Sequence, residues 1–132
     1  MSGKFIKADQ VERDQMGGGS LGWLSRPSTT GAKDLVVIEV TWQPGTGHGF
    51  HKHPTQEEVI YITDGEVEQW LDNEKMILGP GDSVFIEADV VHASYNDSHK
   101  PATMLAILAP CRGEDGYVTI DVLDQEPWKS IR

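Results

Sequence analysis

The sequence predicts an all-β sandwich or barrel. From residue 35 onward, short segments in which apolar and polar residues alternate recur at spacings of about ten residues, as in sandwiches and barrels. Turn residues, mainly Gly, Pro, Asp and Asn, stand between these segments. A helical period occurs only in one short segment, Val11 to Met16, which is the single candidate helix.

Length and charge limit the architecture and the partners. A chain of 132 residues is expected to form one domain. Its 11 basic and 21 acidic residues give a formal charge of −10, which argues against nucleic acid and anionic membrane surfaces as partners. Cys111 is the only cysteine, so no intramolecular disulfide can form. Because no apolar run is long enough to cross a bilayer and the N-terminus does not resemble a leader, we expect a cytoplasmic protein.

Residues 1–34 are predicted to be an N-terminal extension. The glycines at 17–19 and the Ser, Thr, Pro and Gly residues between 25 and 31 are typical of loops. Phe5-Ile6 and Leu21 to Leu24 are interpreted as short edge strands. Trp23 would then be an exposed apolar group that faces a second subunit.

Residues 35–123 are predicted to form the barrel, and residues 124–132 a C-terminal tail in which Trp128 and Ile131 could dock. In the first strand, the even-numbered residues from Val36 to Trp42 share one face. Asp64-Gly65 is typical of a β-hairpin, so the segments on either side of it are expected to pair. The predicted strands cover residues 35–42, 58–63, 66–71, 75–78, 83–87, 91–96, 102–109 and 117–123.

Two histidines and a glutamate form the first candidate site. His51 and His53 stand two apart in an extended segment, so both rings should point to the same face. After a turn, Glu58 begins an apolar run whose same-face neighbours are Ile60 and Ile62, which places its carboxylate on an inward face. Two histidines and one carboxylate are a ligand set for a divalent transition metal that keeps positions open for other ligands.

A fourth donor comes from His92, which lies on a second strand-like segment. Gly45, His51, His53, Glu58 and Gly65 fill the pattern G-x5-H-x-H-x4-E-x6-G, and Gly81, His92 and Asn96 match parts of a second pattern. In both patterns the chain resembles the cupin superfamily, over residues 35–110. Glu87 and Asp89 stand where that family usually has proline and glycine, and these positions shape the loop before His92.

The resemblance implies a single-domain cupin with the double-stranded β-helix, or jelly-roll barrel, of that family. It further implies a site in which His51, His53, Glu58 and His92 hold one divalent metal ion. Fe, Mn, Ni, Zn and Cu all accept imidazole with carboxylate, so the metal is left open. A homodimer is also expected from the resemblance.

Several other residues are candidates for binding or proton transfer. His48 and Glu57 are candidate acids or bases. Strict alternation would turn His48 to the face opposite His51, but Gly47 and Gly49 make alternation unreliable there, and a loop histidine is the favoured interpretation. Ser94 and Asn96 share a face with His92, and Asn96 could equally satisfy the backbone of the turn after its strand. Gln69 would be a buried amide that needs a partner. Gln56 is interpreted as a solvated turn residue.

These features together predict a metal-binding protein that acts on a small organic molecule, as a dioxygenase or as an isomerase or lyase. The alternative is a non-catalytic module that binds or senses a small ligand. The sequence does not separate the reaction classes.

Overall fold

The computed structural model describes residues 2–132, and this part of the chain is almost entirely antiparallel β-structure. A 3-10 turn at Ala8–Gln10 and two short helices, α1 (Pro27–Thr30) and α2 (Trp128–Ile131), accompany the strands. The strands are β1 (Glu12–Met16), β2 (Gly19–Ser25), β3 (Val36–Trp42), β4 (Thr46–Lys52), β5 (Glu57–Asp64), β6 (Val67–Leu71), β7 (Glu74–Leu78), β8 (Ser83–Ile86), β9 (His92–Asn96), β10 (Ala102–Ala109) and β11 (Ile120–Asp121).

These strands form two sheets that pack face to face. The first sheet has the order β1-β2-β3-β10-β5-β8, and the second has the order β11-β4-β9-β6-β7. Consecutive strands often lie in different sheets, so the chain winds between the two layers. The architecture is a double-stranded β-helix, or jelly roll, as the sequence predicts.

The inner face of the first sheet is the main core. Alternate residues of β3 are buried, from Val36 to Trp42, and so are alternate residues of β10, from Ala102 to Leu108. β5 contributes Glu58 to the same inner surface, together with its apolar neighbours. The predicted alternation in these three strands is therefore confirmed, and Glu58 lies on an inward face.

The predicted hairpin at Asp64-Gly65 is wrong. β5 pairs with β10 and β8 in the first sheet, whereas β6 pairs with β7 and β9 in the second. Gly65 adopts a φ of +75°, and a Cβ there would lie 2.5 Å from the carbonyl oxygen of Pro101. The glycine therefore turns the chain from one sheet to the other, where a hairpin would have kept it in one layer.

The second sheet is covered on both faces. Its outer face carries a separate apolar cluster built on Phe50, Trp70 and Val122, against which Trp128 and Ile131 pack. Arg132 continues this contact, because its guanidinium lies 3.6 Å from the Tyr95 ring centroid. The C-terminal tail is thus docked on the barrel, and the prediction that its two apolar residues could dock is confirmed.

The N-terminal predictions need four corrections. Val11 to Met16 is not a helix, since Glu12–Met16 is the edge strand β1, paired with β2. Phe5-Ile6 forms no strand, and Leu21 to Leu24 lies inside β2, which is flanked by β1 and β3. Trp23 is buried, because its indole donates a hydrogen bond to Asp14 and packs against Tyr117. Pairing across strands, which no local pattern encodes, decided that β1 is a strand and that β2 lies inside the sheet.

The last predicted strand is shorter than expected. Within residues 117–123, only Ile120–Asp121 is a strand, and it pairs with Lys52 and His51 of β4. No helix among residues 2–132 is both long enough and apolar enough to cross a membrane.

Substitution of Gly65 tests the turn between the sheets. We expect Gly65→Ala to lower the free energy of unfolding by about 2 kcal/mol or more, since the strain of a positive φ adds to a clash with backbone. Gly81→Ala is the matched control, because Gly81 also has a positive φ but nothing lies within 4 Å of its Cβ position. Urea unfolding of both variants measures the difference, and equal losses would contradict the proposed clash.

Candidate metal centre

Three histidines meet on the inner face of the second sheet. His51 lies on β4 and is paired directly with His92 on the neighbouring strand β9. His53 follows the end of β4, two residues beyond His51. All three side chains are buried, and their donor atoms lie within 4.8 Å of one another. The predicted convergence of His51, His53 and His92 is therefore seen in the structure.

Glu58 reaches this cluster from the opposite sheet. Its Oε1 lies 2.9 Å from His92 Nε2 and 3.4 Å from His53 Nε2. It does not belong to the set of donor atoms that are all within 4.8 Å of one another. The carboxylate therefore borders two of the three rings and closes the cluster from the side of β5.

Backbone carbonyls fix the orientation of each ring. The Nδ1 atoms of His51, His53 and His92 lie 2.6, 3.0 and 3.0 Å from the carbonyl oxygens of Gly49, Val118 and Val90. Because a carbonyl oxygen can only accept, Nδ1 carries the proton in these contacts. The lone pair of a neutral ring is then on Nε2, which is the arrangement that metal-binding histidines use.

The local charges also suit a cation. Burial raises the pKa of Glu58, but His53 and His92 outweigh it and hold that pKa well below its usual range. Burial and the neighbouring imidazoles of His48 and His92 lower the pKa of His51 well below 6.5. Burial lowers the pKa of His53, yet the Glu58 carboxylate outweighs burial, so the net pKa is raised. At neutral pH the cluster thus combines an ionised Glu58 carboxylate with a neutral His51 ring.

Two buried atoms in this cluster lack a hydrogen-bond partner. Among the described residues, neither His92 Nε2 nor Glu58 Oε1 makes a hydrogen bond, although the two atoms are 2.9 Å apart. With the His92 proton on Nδ1, both of these atoms are acceptors, so neither can donate to the other. Leaving such atoms unpaired in a core is costly, and one shared cation would satisfy both. The residues present therefore fit a divalent metal ion.

A mainly apolar cavity opens beside the four donor groups. Its volume is about 40 Å³, which is enough for a few water molecules. His48, Ser94 and Tyr117 are the polar residues in its wall besides the cluster itself. Its apolar wall comes from the strands β1, β2, β3, β5 and β10 of the first sheet: Met16, Leu21, Ile38, Val40, Trp42, Ile60, Met104, Ala106 and Leu108.

His48 does not sit opposite His51 as strict alternation predicts. The pairing of β4 with β9 shifts register between the two histidines, and their rings stack with centroids 3.6 Å apart. A bulge of this kind turns both residues to one side of the strand. His48 Nε2 lies 4.0 Å from Asp121 Oδ1. The interpretation of His48 as a loop histidine is wrong, and the glycines on either side of it were the signal for irregularity.

Gln56 is also misplaced by the sequence interpretation. It is buried and not a solvated turn residue, and its amide hydrogen-bonds the segment that contains Pro110, Gly116 and Val118. A signal was present, because residues 56, 58, 60 and 62 share a face when alternation is continued backwards from Glu58. Tyr117, which lines the cavity, was predicted only as the first residue of a strand and was not recognised as a site residue.

The remaining candidates lie in different places. Ser94 lines the cavity and donates a 2.6 Å hydrogen bond to Gln69 Oε1. Gln69 itself lines a second, separate cavity near the edge strands β7 and β8. Asn96 bonds the carbonyls of Trp42 and Lys100 and so braces the turn after β9. Glu57 is exposed and does not line the cavity beside the histidines.

One of the two unusual residues in the loop before His92 has a left-handed backbone conformation. Asp89, which stands where the family usually has glycine, adopts a φ of +70°. Its amide donates to the carbonyl of His53, and its carboxylate lies 3.1 Å from Lys52 Nζ. Aspartate tolerates the left-handed region better than most residues, so Asp89 can occupy a backbone conformation that favours glycine.

Comparison with known proteins identifies the family. A family model described as a cupin domain matches residues 38–108. The chain belongs to the cupin family. Over 110 residues, this cupin is 29% identical to the polyketide synthase CurC of Streptomyces cyaneus. The matched region covers 83% of this chain and 71% of that protein. Over 86 residues it is 33% identical to quercetin 2,3-dioxygenase of Bacillus subtilis, covering 65% of this chain but 25% of that protein.

A solved structure agrees with this assignment at the level of the fold. KdgF from Halomonas sp. superimposes on the cupin with a TM-score of 0.75 at 20% identity, covering 84% of this chain and 96% of that one. The likeness concerns the arrangement of the strands.

Removal of a histidine tests the metal centre. We expect His92→Ala to weaken Zn²⁺ or Co²⁺ binding by about 100-fold or more, because loss of an outer partner alone costs roughly 10–100-fold. Isothermal titration of the chelator-treated protein measures the affinity. His99→Ala is the matched control, since His99 is an exposed histidine outside the cluster. Equal affinities in the two variants would contradict the site.

Replacement of His48 tests the electrostatics of the metal-free protein. Burial lowers the pKa of His48 to about 4, so between pH 4 and 6.5 the unfolded chain binds a proton that the folded protein does not. Stability from this ring is therefore complete above pH 6.5 and is lost as the pH falls toward 4. Between pH 7 and 5, the wild-type protein should lose about 2 kcal/mol more than His48→Gln in urea unfolding. Parallel pH profiles would contradict the lowered pKa.

Proposed function

We propose that this cupin is a metal-dependent oxygenase that acts on a small, largely apolar organic molecule bearing an oxygen substituent. The observation that carries the proposal is the set of three buried imidazoles held by backbone carbonyls, with their Nε2 atoms and the Glu58 carboxylate at one end of an apolar cavity. His51, His53, His92 and Glu58 would hold the ion.

The bound metal would supply a Lewis acid or a redox centre. The chain supplies the rest of the chemistry. The apolar walls exclude water and strengthen electrostatic interactions inside the cavity. The indole N–H of Trp42, which lines the cavity, is buried without a partner in the described part of the chain, so it is a donor suited to an oxygen atom of the substrate.

The lining favours oxygenase chemistry over sugar or uronate conversion. Among the described residues that line the cavity, none is Lys or Arg. A sugar acid would require several polar or cationic groups, because its carboxylate and hydroxyl groups would otherwise lose hydrogen bonds on binding. The relative named quercetin 2,3-dioxygenase supports an oxygenase, and the relative named as a polyketide synthase is compatible with an apolar substrate.

Proton transfer is assigned to His48. Its ring lines the cavity and is stacked on the ring of His51, whereas Glu57 lies outside. Because burial lowers the pKa of His48 to about 4, this ring is neutral at pH 7 but is only a weak base. Asp121 lies close enough to favour the protonated ring.

The small volume of the cavity supports a second candidate. Space for a few water molecules is below the usual size of a substrate pocket, so only the reacting group of a larger molecule could enter. A non-catalytic cupin that binds or senses a small ligand at the metal would need no more room. A homodimer and an intracellular site of action remain predictions.

Oxygen consumption tests the proposed function. The chelator-treated protein is loaded in turn with Fe²⁺, Ni²⁺, Cu²⁺, Zn²⁺ and Mn²⁺, and oxygen uptake is measured with a panel of phenols and enols. We expect uptake with at least one redox-active ion, and a loss of 100-fold or more in Glu58→Gln. The surface variant Glu57→Gln is the matched control and should keep full activity.

Two results would count against the oxygenase. Tight metal binding without oxygen uptake on any substrate, together with saturable ligand binding, would favour the sensing module. Turnover of a substrate that is equally fast with Zn²⁺ under nitrogen would favour an isomerase or lyase.

A further inference from the structure

The segment from Pro110 to Val118 has no strand or helix, yet it supplies two groups to the metal centre. The carbonyl of Val118 accepts the hydrogen bond from His53 Nδ1 at 3.0 Å. The ring of Tyr117 lines the cavity, with its centroid 5.7 Å from the His53 ring and 5.7 Å from the Trp23 ring. Since no sheet pairing fixes this segment, another contact must hold it in place.

The side chain of Gln56 supplies three such contacts, beside a bond from the Cys111 amide to the Lys33 carbonyl and one from Arg112 to Thr55. Its Nε2 donates to the carbonyls of Pro110 at 2.8 Å and Gly116 at 3.0 Å. Its Oε1 accepts from the amide of Val118 at 3.1 Å. Both N–H groups and the oxygen are thus used, and the side chain is only 2% exposed. One residue ties together the start, the middle and the end of the segment.

The chemistry of these contacts requires an amide. A glutamate at this position would place a carboxylate against two carbonyl oxygens and lose both donors. A methionine of similar length would leave the Pro110 carbonyl and the Val118 N–H without partners, and the Gly116 carbonyl with only the Arg112 amide. The two hydrogen bonds of Val118 are adjacent along the backbone. Its amide donates to Gln56, and its carbonyl accepts from His53.

We propose that Gln56 is a positioning residue of the metal centre. It fixes the segment 110–118 so that the Val118 carbonyl orients His53 and the Tyr117 ring closes one side of the cavity. The inference rests on the proposed metal site but not on the reaction. Gln56 lies two residues before Glu58 on the same face of the chain, so one short stretch supplies both a ligand and the support for another ligand.

Substitution of Gln56 tests this role through metal binding. In Gln56→Met and Gln56→Glu, we expect Co²⁺ affinity of the chelator-treated protein to fall by about ten-fold or more, as for loss of other outer partners of a metal ligand. The visible absorption of bound Co²⁺ should change as the geometry at His53 relaxes. Gln43→Met and Gln43→Glu are matched controls, because Gln43 is exposed. They should leave affinity and spectrum unchanged.

Hydrogen exchange separates positioning from a general effect on stability. In folded Gln56 variants, exchange should accelerate in residues 110–118 and not in β3 or β10. Lower thermal stability with unchanged Co²⁺ affinity and spectrum would overturn the proposal. If neither variant folds, hydrogen exchange of the wild-type protein is the test. The Val118 amide, which donates to Gln56, should exchange as slowly as the amides of the strands, and fast exchange would overturn the proposal.

These readouts are distinct from those of the proposed function. Oxygen uptake can fail while the effect of Gln56 on Co²⁺ binding stands, which would leave a binding module with the same positioning residue. If the wild-type protein binds no Co²⁺, the proposed function fails, and slow exchange of the Val118 amide still supports the role of Gln56 in fixing the segment.

Discussion

The hydrogen bonds from three imidazole Nδ1 atoms to backbone carbonyls are the constraint on which the centre of this cupin depends. Each bond fixes both the tautomer and the direction of a ring, so that Nε2 is the free donor. Two acceptors, Gly49 and Val90, lie two residues before the histidines that they orient. The third, Val118, is 65 residues away from His53, so one ring depends on long-range folding.

The two sheets supply the ligands unequally, and this determines how the site is closed. The second sheet contributes the paired histidines His51 and His92, whereas the first sheet contributes Glu58 from its inner face. The carboxylate must therefore cross the space between the layers to approach the rings. Any change in the packing of the sheets would alter its distance to His53 and His92, which couples the core to the metal centre.

Sequence patterns predicted the local features well. Alternation in Val36–Trp42 and Ala102–Ala109 identified the inner face of the first sheet. The spacing of His51 and His53 predicted a shared direction for their rings, and alternation with Ile60 predicted that Glu58 faces inward. The failures have a common origin. Each depends on a contact with another strand or segment. A bulge in the pairing of β4 with β9 turns His48 toward His51, a distant segment buries Gln56, and pairing with β2 makes the polar segment β1 a strand.

By itself, the sequence determined the all-β class, the strands of the inner core and the donor set, because these follow from residue type and from the two-residue period of a strand. Only the tertiary structure decided which sheet each strand joins, where Tyr117 and His48 lie, and which carbonyl orients His53. Those features depend on contacts between distant segments, such as Gln56 with Gly116, and a local pattern carries no information about a partner 60 residues away.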